Sequence, residues 1–88
     1  MDSLNTPDGN ATQDFNQHLD ARGLNCPLPL LKAKQQLSRL QPGQQLTVLA
    51  SDPGSWDDFA SYAELSSHQL VSRQQLGDDY QFILLKGE

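Results

Sequence analysis

The sequence predicts an α+β fold of order βαβαββ, a four-stranded mixed sheet with two helices on one face. Three observations carry that expectation: two segments with apolar residues at helical spacing, a short, almost continuously apolar run between them, and a closing pair of β-type segments around a Gly-Asp-Asp turn. With 88 residues and 36% hydrophobic content, the chain has enough apolar material for one core and not for two.

Residues 1–14 are mostly Ser, Asn, Thr, Pro, Asp, Gly and Gln, with little that a core could use, and read as a disordered tail. The domain is expected over 15–88. A first strand is placed at Asn16 to Asp20, chiefly on Leu19, and a loop with Gly23 follows. Pro27 suits the first position of a helix, where its missing N–H is not needed, and this puts Cys26 at the N-cap. Leu30, Ala33, Leu37 and Leu40 then form one apolar stripe, and Gln41-Pro42-Gly43 ends the helix. Leu46 to Ala50 reads as a central strand, covered on both faces or on one face with an occupied edge. After Ser51-Asp52-Pro53-Gly54, Ser55 is a plausible N-cap for a second helix, whose apolar face is Trp56, Phe59, Ala60 and Ala63. Gln69 to Leu76 and Tyr80 to Lys86 complete a hairpin through Gly77-Asp78-Asp79. The first two strands, joined by a helix, are expected to lie parallel.

Composition excludes several classes of function. No apolar run approaches the roughly 20 residues of a membrane helix, and the N-terminus has neither the basic nor the apolar region of a secretory signal. A single cysteine forms no internal disulfide, which points to the cytoplasm. Six scattered Lys and Arg against eleven Asp and Glu, a net charge of -5, argue against direct nucleic-acid binding, which depends on neutralising phosphates. His18 and His68 lack metal-ligand spacing, so no metal site is expected.

Cys26 is the residue that carries chemistry. At a helix start, free N–H groups and the helix dipole favour an anion, so its thiol is expected to ionise below the ~8.5 of a free cysteine. Pro27 and Pro29 fix the backbone after the sulfur. Against this stands the common role of a lone cysteine as a small buried hydrophobe, although cysteine is a poor plain N-cap. Arg22 is the nearest cation and the best candidate for a thiolate partner, beside its ordinary role as a solvated loop residue. Asp52 before Pro53 suits an Asx-type turn, and Asp57 and Asp58 suit the first turn of the second helix.

Leu19-Asp20-Ala21-Arg22-Gly23-Leu24-Asn25-Cys26-Pro27-Leu28-Pro29 resembles the Leu-Asp-x-x-Gly-x-x-Cys-Pro-x-Pro signature of the TusA, SirA and YedF-like proteins. The likeness extends from about Phe15 to Gly87 and takes in Pro42-Gly43, Asp52-Pro53, Asp58 and His68. Asn25 stands where a charged residue is common in the family, and Ser67 where Gly often precedes the histidine. The resemblance implies a two-layer α/β sandwich similar to the C-terminal domain of initiation factor 3. It also implies that Cys26 accepts sulfane sulfur as a persulfide from a cysteine desulfurase or rhodanese and relays it to an acceptor protein. Arg22, Pro27, Pro29, Asp52 and Asp58 would be the binding residues around it. Uses in the family include tRNA thiolation, molybdenum cofactor supply and oxidative sulfur metabolism; no cofactor is implied, and a monomer is expected. Two other readings stay open: a non-catalytic interaction or regulatory module whose acidic surface docks a basic partner, with Cys26 structural, and a thiol redox enzyme that would need an external resolving thiol.

Overall fold

A computed structural model describes residues 16–88; the tail expected over 1–14, together with Phe15, lies outside them. The elements are β1 (Asn16–Ala21), α1 (Leu28–Leu37), β2 (Gln45–Ala50), α2 (Ser55–Leu65), β3 (Gln69–Leu76) and β4 (Asp79–Leu85). They form the expected βαβαββ order, with a four-stranded mixed sheet ordered β1-β2-β4-β3. β1 pairs in parallel with β2, and the β2–β4 and β3–β4 pairs are antiparallel. No helix among the described residues is long and apolar enough to cross a membrane.

Burial alternates along β2: Leu46, Val48 and Ala50 are fully buried, while Thr47 and Leu49 are half-buried on the face without helices. A strand has a period of two, so this pattern places the core on one side of the sheet. Cross-strand register sets Val48 against Phe82 and Leu46 against Leu84, which continues that buried face into β4. Ala33 and Leu37 of α1 and Phe59 of α2 close it from above. Phe59 stacks on Phe82 with ring centroids 4.4 Å apart, and Trp56 tilts against Tyr80 and Phe82 at 5.9 and 6.3 Å. A bulge between Leu70 and Ser72 leaves Val71 on the outside of β3.

Both helix starts differ from the sequence expectation. The first residue of α1 is Leu28; Pro27 occupies the N-cap position and Cys26 lies one residue outside the cap. The Cys26 side chain does not serve α1, because its sulfur donates to Asp58 of α2. In α2 the N-cap is Gly54, without a side-chain cap, and Ser55 is helical and 1% exposed with no hydrogen-bond partner for its Oγ. Its hydroxyl is turned into the interior and cannot reach the exposed N–H groups. The helical stripe also ends sooner than expected, since Leu40 belongs to the turn after α1. That turn uses the positive φ of Gly43 (94°), whose N–H donates to the Lys86 carbonyl at 2.9 Å. Lys86 Nζ in turn donates to the Leu37 carbonyl at 2.8 Å, a cation on the negative end of α1.

Candidate functional site

Because β1 and β2 are parallel neighbours, the loops that leave their C-terminal ends lie side by side. The first loop runs from Arg22 to Pro27 and the second from Ser51 to Gly54. Gly23, at φ 85°, turns the first so that its N–H donates to Ser51 Oγ of the second at 2.8 Å. Three residues on, the Cys26 N–H donates to Asp52 Oδ2 at 2.9 Å. From the first turn of α2, Asp58 Oδ2 accepts from Cys26 Sγ at 2.5 Å. Cys26 is exposed, and its peptide bond to Pro27 is cis. The role of a buried small hydrophobe is therefore not the one Cys26 has.

Around that sulfur the charge is negative. The hydrogen bond to Asp58, then desolvation and the carboxylates of Asp58 and Asp52, push the Cys26 thiol up to about 11. This reverses the sequence expectation of a lowered value. A dipole acts within the first turn; Cys26 precedes that turn, and a hydrogen-bonded carboxylate outweighs it by holding the proton on sulfur. The thiol is accordingly neutral at pH 7.

Arg22 is not the thiolate partner. Its guanidinium makes a two-pronged contact with Asp20, Nε to Oδ1 at 2.9 Å and Nη2 to Oδ2 at 2.8 Å, and lies 3.7 Å from Asp79. The pairing lowers the Asp20 carboxyl to about 2 and raises the Arg22 value further. Arg22 thus fastens the start of the first loop to the end of β1 and to β4. Pro29 is buried and anchors the start of α1, whereas Pro27 is exposed beside the thiol. His68 stands at the other end of the sheet, next to Gln69, which pairs with Leu85 of β4. There its Nδ1 accepts the Gly87 N–H at 3.0 Å, and burial lowers its pKa.

Gly54 and Ser51 escaped the sequence reading. A Cβ on Gly54 would lie 3.2 Å from Cys26 Cβ, 3.4 Å from Sγ and 3.1 Å from Asp52 Oδ2. Gly54 has an ordinary helical φ of -61°, so its lack of a side chain serves space and not backbone conformation. No spacing rule connects residues 26 to 28 positions apart; the parallel β1–β2 pairing brings these two loops together, and in the sequence only the family resemblance set Asp52 and Asp58 around Cys26.

The model of the family described as Sulfurtransferase TusA matches residues 17–86. The sulfur carrier protein TusA of Allochromatium vinosum is 45% identical over 73 residues, 83% of this chain and 96% of that protein. Among solved structures, the SirA-like protein of Desulfitobacterium hafniense superposes with a TM-score of 0.70 at 27% identity, covering 81% of this chain and 97% of the other. A match across nearly all of the described strands and helices, at this level of identity, establishes that the chain belongs to the TusA sulfurtransferase family.

Proposed function

We propose that the chain is a cytoplasmic sulfur carrier in which Cys26 takes a sulfane sulfur from the persulfide of a cysteine desulfurase or rhodanese and passes it to a thiol of an acceptor protein. The observation that carries this reading is an exposed cysteine, the chain's sole thiol, held by its backbone to Asp52 and left open on one side by Gly54. Kinship with a sulfur carrier 45% identical to the chain supports it.

In loading, Cys26 Sγ attacks the terminal sulfur of the donor persulfide. A bond forms between Sγ and that sulfur, the donor's own S–S bond breaks, and the donor departs as its thiol. Discharge is the same exchange with Cys26 as the leaving group, so no outside oxidant or reductant is consumed. The residues around the sulfur position it: Asp52 fixes the backbone of Cys26, Pro29 anchors the start of α1, and Arg22 braces the loop through Asp20. Exposure lets two different proteins reach the same atom in turn, which a relay requires.

Intact-mass measurement after incubation with a cysteine desulfurase and cysteine tests the reading. The wild-type chain should gain one sulfur atom and Cys26→Ser none, while circular dichroism shows the variant folded. Sulfur uptake by Cys26→Ser would contradict it, because no other thiol exists in the chain.

A further inference from the structure

A neutral thiol is a poor nucleophile, and the thiolate is the reactive form. The site described above stabilises the neutral form, so sulfur transfer near neutral pH needs a group that takes the proton as the new bond forms. The groups facing the sulfur identify it. On the β2–α2 loop, Asp52 uses Oδ2 to accept the Cys26 N–H at 2.9 Å. On α2, Asp57 is exposed and Asp58 places Oδ2 2.5 Å from Sγ. The first turn of α1 holds no acidic residue. Two arginines are engaged elsewhere: Arg22 with Asp20 and Asp79, and Arg73 of β3 over the Trp56 ring at 4.2 Å with Nη1 donating to the Trp56 carbonyl at 2.9 Å. His68 stands at the other end of the sheet, where its Nδ1 accepts the Gly87 N–H.

We propose that Asp58 is the proton acceptor and donor for sulfur transfer at Cys26. The assignment rests on the sulfur-carrier reading and deepens it. In loading, Asp58 takes the Cys26 proton while Sγ bonds to the terminal sulfur of the donor persulfide. The donor's S–S bond breaks with its electron pair on the departing sulfur, which Asp58 then protonates. A thiol and a persulfide become a persulfide and a thiol, with every proton accounted for. In discharge Asp58 takes the proton of the attacking acceptor thiol and returns it to Cys26 Sγ as that sulfur leaves. The 2.5 Å contact therefore has two consequences of opposite sign: it suppresses free thiolate and supplies a built-in route for the proton.

Comparing wild type with Asp58→Asn, using glutathione persulfide as the donor and quenched intact-mass kinetics, separates the two consequences. Taking the ratio of the two rates at each pH cancels titration of the donor. The wild-type route starts from the neutral thiol hydrogen-bonded to Asp58, so it does not depend on free thiolate, whereas the variant must use it. The wild-type to variant ratio should rise about tenfold per unit as pH falls from 8 to 6. Over the same range the variant should alkylate faster with iodoacetamide, because its thiol ionises more readily. Asp58→Glu, which restores a carboxylate, should bring the ratio back toward a level profile. A wild-type chain that loads sulfur with a ratio independent of pH overturns the assignment alone. A wild-type chain that takes no sulfur overturns the carrier reading with it.

Discussion

The reactivity of Cys26 is set by residues remote in sequence. Local reasoning placed it at a helix N-terminus and expected an acidified thiol; the contact that decides the matter comes from Asp58, 32 positions later. The pH midpoint of iodoacetamide alkylation should lie near 11 in the wild type. In Asp58→Asn it should fall by more than about one unit, since the carboxylate that favours the neutral thiol is gone. A wild-type midpoint at or below that of free cysteine would mean that the dipole wins after all. Arg22 illustrates the same lesson with the other sign: it was the obvious cation by proximity, yet it pairs with Asp20, two residues away on its own strand end. That pair holds the Asp20 carboxyl down at about 2, so the stability it contributes is present above the ordinary carboxylate range and is lost as pH falls through about 2. Arg22→Ala should move the Asp20 titration, followed by NMR, upward toward the ordinary carboxylate range but not all the way, because the backbone N–H of residue 22 still donates to Asp20 Oδ1 at 3.1 Å. Because the pair is exposed, the change in stability at neutral pH should be small.

Elements were the most legible scale. Trp56, Phe59, Ala60 and Ala63 at helical spacing lie within α2, and the apolar run from Leu46 to Ala50 located β2 to within a residue. Their ends were less legible, because a cap depends on where one side chain points. Ser55 fits the residue preference for an N-cap but lies inside α2 with an unpartnered hydroxyl. Ser55→Ala should therefore leave stability unchanged or raise it by about 1 kcal/mol, the cost of burying an unsatisfied hydroxyl. As an N-cap it would instead lose about 1 kcal/mol, so chemical denaturation distinguishes the two roles by sign. Phe59, fully buried and stacked on Phe82, sets the scale for a true core residue. Phe59→Ala should cost about 3–5 kcal/mol in the same denaturation series.

At the scale of the whole molecule, the parallel pairing of β1 and β2 builds the site by bringing the Arg22–Pro27 loop against the Ser51–Gly54 loop. The order of elements was readable, and with it the expectation of parallel strands; that Asp52 and Asp58 belong around Cys26 was readable only through the family resemblance, and their individual contacts were not, since nothing in either loop's own sequence encodes the other's position. The resulting fold keeps its hydrophobic core on one face of the sheet and presents one exposed thiol at the C-terminal edge of β1 and β2. A carrier must both load and discharge through that atom, so the relay itself tests the account most directly. Wild type charged with radiolabelled sulfur by a cysteine desulfurase, separated from the donor and mixed with a thiol acceptor should surrender its label and return to the mass of the bare chain, ready to be charged again. Label that stays on the chain, or that passes to the acceptor equally well when Cys26→Ser replaces the wild type, would contradict it.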